Sequence, residues 1–201
     1  MTVALAPSVV RPVRHEDLPA TAAHMRAVLE RDLGGYDPRL HADLDDLAGT
    51  YLATPGTRLF VCLADGPAGP VVAGTASVRA GGPRPTYVPA WLARRYAGRR
   101  VGQIGRVWVA PGHRRLGVGR RLATAAARWA LAEGYDPVCL HTNAAVPGAL
   151  AFWTGFSGRG ARARRAAGPV VDRALRDRPH RARRLTVSGP GGGCARRRRP
   201  R

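Results

Sequence analysis

Lysine is absent from this chain: all 33 basic residues are arginine. A P-loop lysine is thereby excluded. Such uniform arginine usage reads as a compositional bias of the source genome before it reads as a surface selected for nucleic acid. The net charge of +20 is also unevenly spread. Residues 157–201 carry 15 Arg against 2 Asp, or +13, and residues 1–156 carry +7. A nucleic-acid-binding tail is the function that this charge keeps open. Against it, the tail has no interleaved aromatics on which bases would stack. Cysteine is scarce too. Cys62, Cys139 and Cys194 are an odd number, far apart and without CxxC spacing, which argues against a disulfide framework or a zinc site. Cys62 and Cys139 lie in apolar runs and read as small buried hydrophobes, not nucleophiles. No apolar run approaches the roughly 18 residues of a transmembrane helix. The start, Met1 to Val10, lacks a basic flank and is broken by Pro7, a poor signal peptide. Residues 1–8 are expected to be a disordered leader, and the protein cytoplasmic.

What is present is an alternation of helical and strand patterns. Val9 to Arg11 reads as a short strand. Asp17 reads as a helix cap, followed by Leu18, Ala22, Met25 and Leu29 on one helical face. Gly34-Gly35 ends that helix, and Asp37-Pro38 restarts another, with Leu40, Leu44, Leu47 and Tyr51 at the same spacing. Both stripes read as core. Asp37, Asp43, Asp45 and Asp46 read as a solvated helix face, with attraction of a cationic amine as the alternative. Arg58 to Leu63 and Pro70 to Arg79 are strands joined by a hairpin loop over residues 65–69. Residues 81–101 read as a long loop, a length usually functional or disordered. Gln103 to Val109 is the next strand. A helix from about Gly117 to Glu133 follows, burying Leu122, Ala125, Ala126, Trp129 and Ala132 and stopping at Gly134. Pro137 to Thr142 is a strand and Pro147 to Trp153 a short helix. The order β-α-α-β-β-β-α-β-α is an α/β arrangement. The domain is expected over residues 9–175, with an Arg/Pro/Gly-rich basic tail over residues 176–201.

The segment that carries chemistry is Val107-Trp108-Val109-Ala110-Pro111-Gly112-His113-Arg114-Arg115-Leu116-Gly117-Val118-Gly119. A strand delivers the chain to a turn, and two glycines open a helix. Glycine lets backbone N–H groups approach an anion with no Cβ in the way. The helix start adds unsatisfied N–H groups and its positive dipole end. Arg114 and Arg115 add charge, so the expected ligand is a diphosphate. Gly112 and Gly117 have P-loop spacing, but Val118-Gly119 replace its Lys and Ser/Thr. The dinucleotide pattern GxGxxG fails because Leu122 occupies its third glycine. The pattern met is Arg114-x-x-Gly117-x-Gly119.

With these residues the chain resembles the GNAT N-acetyltransferase superfamily, whose motif is Gln/Arg-x-x-Gly-x-Gly/Ala after a Val-rich strand and a Pro. The resemblance covers roughly residues 9–156 and extends to Leu140-His141-Thr142-Asn143 and Ala149-x-x-Phe152-Trp153. It implies a mixed, mostly antiparallel central sheet flanked by helices, with a splayed pair of strands holding coenzyme A. It further implies acetyl-CoA as co-substrate, no metal, and transfer of an acetyl group to a primary amine. The backbone of Val107 and Val109 is expected to pair with the pantetheine arm. The N–H groups of Arg115, Leu116, Gly117, Val118, Gly119 and Arg120 are expected to hold the pyrophosphate, with Arg114 beside them. Asn143 is expected near the pantetheine or thioester. Gln103 and Trp153 stand where many family members keep a Glu base and a Tyr acid. A glutamine takes no proton, and an indole N–H is a donor only. His141, on the splayed strand, is the nearest titratable candidate for the base. A coenzyme A-binding protein of this fold without activity is the alternative that Gln103 and Trp153 raise. The Trp153-Thr154-Gly155-Phe156 run is two residues shorter than the family's usual aromatic-x-x-x-Gly-Phe spacing. That spacing puts the end of this helix and the next strand in question.

Overall fold

Strand periodicity sets the frame. In β2 (Arg58–Ala64) alternate residues enter opposite cores: Leu59 and Val61 join one cluster, and Phe60, Cys62 and Ala64 the other. Such two-sided burial is what a sheet covered by helices on both faces demands. The structure, a computed structural model, describes residues 8–82, 94, 96–143, 146–159, 170–171 and 184–188. Most of the loop expected at 81–101, and most of the expected tail, lie outside those residues.

The described elements are β1 (Ser8–Pro12), α1 (Leu18–Asp32), α2 (Pro38–His41), β2, β3 (Val71–Ala80), β4 (Gly102–Val109), α3 (Val118–Ala132), β5 (Val138–Asn143), α4 (Ala149–Arg159), β6 (Val170–Val171) and β7 (Arg184–Ser188). They form one mixed sheet in the order β1-β2-β3-β4-β5-β7-β6. Every neighbouring pair is antiparallel except β4–β5, which α3 joins as the crossover that a parallel pair requires. This is the fold class expected from the sequence. β7 pairs with β5 from inside the segment read as tail.

The two faces differ in how closely helices approach. On one, α1 sends Met25, Val28 and Leu29 inward, and Met25 and Leu29 meet Leu44, Leu47, Tyr51 and Val61. On the other, α3 lies against the sheet through Val118, Leu122, Ala123, Ala126 and Ala130. Three alanines let the helix sit close, and Gly74 of β3 completes the fit. A Cβ on Gly74 would come within 2.8 Å of the Trp108 carbonyl oxygen and 3.0 Å of Leu122. Ala132, expected in this face, is exposed. Ala130, one turn beyond Ala126 and two beyond Leu122, takes its place.

The second helical stripe departs further from expectation. Leu44, Leu47 and Tyr51 are buried, but Leu40 is exposed and no continuous helix carries them. The segment breaks into four-residue α2, a 3-10 turn at Ala42–Leu44 and a single wide turn at Gly49–Ala53. Local side-chain acceptors explain the breaks. Asp37 caps the Arg39 N–H at 2.9 Å, and Asp46 takes the Gly49 N–H at 2.7 Å. α4, by contrast, runs straight through Gly155 and Phe156. The short aromatic-to-Gly-Phe spacing is therefore absorbed inside the helix.

Gly74→Ala should lower stability by about 1–3 kcal/mol, the usual cost of overpacking a filled core. Urea unfolding of the variant measures it; an unchanged midpoint would show that α3 can move aside.

Candidate active site

β4 is an arginine-interrupted strand, and the interruption opens the sheet. Gly105 pairs with Ser77, but the next pairing is Trp108 with Thr75. Arg106 and Val107 thus face the single residue Ala76, a β-bulge of one extra residue. Arg106 sits at φ 52°, in the left-handed region that non-glycine residues rarely adopt. The bulge shifts the alternation by one. Ile104, Val107 and Val109 all reach the α3-side core, whereas Trp108 packs on the α1 side. The parallel pairing of β4 with β5 stops at Ile104–Leu140, two residues before Arg106. Beyond that point β4 stays with β3 while β5 pairs with β7 through His141, Thr142 and Asn143. The sheet forks, and among the described residues one backbone edge of residues 105–109 is left without a strand.

The arginine that makes the bulge is mostly buried and clamped. Its guanidinium donates to both Asp43 carboxylate oxygens, at 3.0 and 2.5 Å, and to the Leu40 carbonyl at 2.7 Å. It lies 5.1 Å over the Trp108 ring. Tyr51 donates its hydroxyl to the same carboxylate at 2.5 Å, and Thr75 donates to the Arg106 carbonyl at 2.8 Å. Side-chain exposure is 15% for Arg106 and 3% for Asp43, so this pair is shielded from screening by salt. Burial opposes ionisation of Asp43, yet the bonds from Arg106 and Tyr51 outweigh it and hold its carboxyl below the ordinary range. Burial, with Asp43 beside it, pushes the Tyr51 hydroxyl up to about 12. Asp43 is therefore neither solvated nor free to attract an amine. The other acids of that segment are also engaged: Asp37 with Arg39, Asp45 with Arg26 and Tyr36.

After Val109 the chain makes a 3-10 turn at Pro111–His113 and then two left-handed residues, Arg115 at φ 68° and Gly117 at φ 78°. Gly117 is the N-cap of α3: its carbonyl accepts the Arg121 N–H at 3.0 Å, and no side chain caps the first turn. The N–H groups of Val118, Gly119 and Arg120 have no acceptor within the helix. A Cβ on Gly117 would meet nothing within 4 Å, so the space before the turn is open. A Cβ on Gly119 would meet Val109 and Phe152 at ordinary contact distance, 3.4 Å or more. The structure thus brings Val107, Val109 and residues 114–120 into one continuous strip, from open strand edge to helix start.

Arg114 is engaged within the protein. Its Nε donates to the Val109 carbonyl at 3.1 Å and its Nη2 pairs with Asp32 at the end of α1. Arg115 is exposed. Arg120 reaches the Gly155 carbonyl at 3.3 Å, and Arg121 ties α3 to Ser8 of β1 at 2.6 and 2.5 Å. The backbone of His141 and Asn143 lies on β5 beyond the fork. Their side chains lie outside the described ones. Trp153 is buried edge-on between Phe152 and Phe156, with centroids 4.8 and 5.7 Å away; it is a packing residue. Cys62 and Cys139 are buried thiols whose ionisation burial opposes, Cys139 being pushed up to about 12. No group of metal-ligating side chains occurs among the described residues, and no helix there is long and apolar enough to cross a membrane.

Two features escaped the sequence reading. Arg106 and Asp43 are one; an arginine inside a Val-rich strand was the available signal, since a buried charge needs a partner. His24 is the other. It is half-buried on α1 with Nε2 3.4 Å from the Trp108 carbonyl, and burial holds its pKa below the ordinary value. A single histidine near a helical stripe carries no signal of its own.

The sequence matches the acetyltransferase (GNAT) family over residues 23–156. No curated protein matches it. Solved structures of like shape include a GNAT-family acetyltransferase of Staphylococcus aureus Mu50, 12% identical, with TM-score 0.61 over 90% of this chain and 98% of that one. YncA of Salmonella typhimurium, solved with its cofactor acetyl-CoA, is 18% identical, with TM-score 0.58 over 91% and 92%. A GCN5-related N-acetyltransferase from Kribbella flavida is 23% identical, with TM-score 0.53 over 91% and 96%.

Removing the charge of Arg106 leaves Asp43 buried without its counter-ion. Arg106→Met should cost about 3–5 kcal/mol, and Arg106→Met with Asp43→Asn should recover much of that loss in chemical unfolding. The pH dependence has a fixed sign. Asp43 titrates lower folded than unfolded, so its contribution is complete above about pH 4 and is lost as pH falls through its folded value. Asp43→Asn should flatten the fall in stability below about pH 4 relative to the parent; an unchanged acid limb would remove Asp43 from the account.

Proposed function

The chain belongs to the acetyltransferase (GNAT) family, and from that membership we propose that it moves an acetyl group from acetyl-CoA to a primary amine. The observation that carries this reading is the open edge of β4 running straight into the left-handed turn at Gly117. An extended arm with amide groups is complementary to the first, by adding itself as a strand. A diphosphate is complementary to the second, through uncapped N–H groups and the helix dipole. On this reading the backbone of Val107 and Val109 holds the pantetheine arm. The N–H groups of Arg115, Leu116, Gly117, Val118, Gly119 and Arg120 surround the pyrophosphate, and Asn143 lies on the facing strand.

The reaction needs little beyond position. The amine lone pair forms the N–C bond at the thioester carbon, and the C–S bond breaks with its electrons on sulfur. The amine nitrogen releases a proton, and the thiolate takes one up. Holding a neutral amine against the thioester supplies much of the rate. Gln103 takes no proton, and Trp153 is an indole packed in the aromatic core. The proton therefore leaves by water, directly or relayed, or by His141.

Gly119→Glu should abolish acetyl-CoA binding, because it places a carboxylate against the diphosphate. Gly119→Ala should keep the fold, its Cβ making only ordinary contacts with Val109 and Phe152. Titration calorimetry reads both; full affinity in a folded Gly119→Glu protein would refute the site. The proton route is read from a pH–rate profile. With water as acceptor, kcat/KM should climb toward the pKa of the amine substrate, and His141→Gln should lose little. A loss of about 10²-fold in that variant, with a limb near pH 6.5–7, would assign the base to His141.

A further inference from the structure

We propose that Asp32 and Arg114 form a brace that sets the shape of the phosphate turn, and that Arg114 acts through this brace and not as a phosphate ligand. The inference rests on the reading that the coenzyme diphosphate sits at residues 115–120, and it assigns a positioning role to a residue of α1. Arg114 precedes the left-handed pair Arg115 and Gly117, whose backbone aims the N–H groups of the turn. Its guanidinium is already used at both ends. Nε donates to the Val109 carbonyl at 3.1 Å, which closes the turn back on the last residue of β4. Nη2 pairs with the Asp32 carboxylate.

Asp32 is an unusual place for a carboxylate. It is the last residue of α1, where the helix dipole presents partial negative charge and disfavours an anion. Two guanidinium groups offset that cost. Arg31 donates to both carboxylate oxygens at 2.9 Å, and Arg114 reaches one of them from the turn after β4. The side chain of Asp32 is only 20% exposed, and the pair of arginines holds its pKa below the ordinary range. The arrangement is a fork: Asp32 fixes the far end of Arg114, and the near end fixes the turn. A guanidinium serves this well because its planar donors set two partners at once. The phosphate would then meet backbone N–H groups already arranged for it, and the gain in affinity comes from an avoided ordering cost.

The two roles of Arg114 predict opposite effects at Asp32. If Arg114 touched the diphosphate, Asp32 would be a competing anion, and Asp32→Asn would tighten acetyl-CoA binding. As a brace, Asp32→Asn and Arg114→Gln should each weaken acetyl-CoA binding about tenfold, and the double variant should be no weaker than either, the signature of one coupled unit. Acetyl-pantetheine, which lacks the diphosphate, should be turned over by Asp32→Asn as by the parent. Tighter binding by Asp32→Asn, additive losses in the double variant, or equal losses with acetyl-pantetheine would each overturn the brace. Gly119→Glu run alongside separates the two readings. If it leaves acetyl-CoA binding intact, the site itself is wrong. If it abolishes binding while Asp32→Asn does not weaken it, only the brace is.

Discussion

A single buried arginine in a left-handed backbone conformation governs how this sheet is arranged. Left-handed φ at a non-glycine residue costs about 1–3 kcal/mol and persists only where its surroundings over-determine it. Around Arg106 they do: two bonds from its guanidinium to Asp43, one to the Leu40 carbonyl, and the Thr75 hydroxyl on its own carbonyl. The side chain holds the backbone bulged, and the bulge ends the partnership of β4 with β5. Without it β4 would continue its ladder, and the edge of residues 105–109 would be spent on another strand. A cleft between parallel strands needs something to stop pairing, and here a charge from the opposite face does so.

That arrangement explains why the described residues build unlike cores on the two faces of the sheet. On the α3 face, Ala123, Ala126 and Ala130 of the helix and Gly74 of β3 allow a close approach, so the helix start is held firmly at the end of β4. The α1 face is looser in its secondary structure, with a broken segment over 38–53, because that segment is shaped around Asp43 and Tyr51 and not around helical periodicity. Removing the ion pair would expose the weakness of that face first, since α2 and the following turns have few backbone bonds of their own.

The sequence made the strip from Val107 to Gly119 legible because its signals are local. A Val-rich strand, a proline, and two glycines at a helix start each act within a few residues. Strands β1 to β5 and the two long helices were legible for the same reason, periodicity being a local property, whereas β7 lies in a segment whose composition reads as tail. What was not legible depends on contacts between distant residues. Leu40, Leu44, Leu47 and Tyr51 have perfect helical spacing, and still the segment breaks. Asp37 and Asp46 cap it locally, and Asp43 must turn in toward Arg106, 63 residues away. Arg114 was read as added charge for a phosphate. Its engagement by Asp32, 82 residues away, is a fact of packing alone. Ala132 and Ala130 were distinguishable only by the angle at which α3 crosses the sheet.

α1 is where these long-range contacts converge. Its buried face packs on β3 and β4, its His24 lies by the Trp108 carbonyl, and its last residue grips Arg114. The helix thus touches the chain on both sides of Val109, once within the bulged half of β4 and once at the turn that follows it. An element that contacts a strand at two such points fixes its direction as well as its position. The bulge decides that β4 leaves β5, and α1 decides where it goes afterwards. The N–H groups at the start of α3 are aimed by that direction, because only the eight residues 110–117 lie between β4 and α3, and the left-handed pair Arg115 and Gly117 is among them. Clamping β4 from the α1 face and freeing its edge where β5 departs are consequently one design: the charges on one face determine the geometry that a neutral backbone offers at the edge.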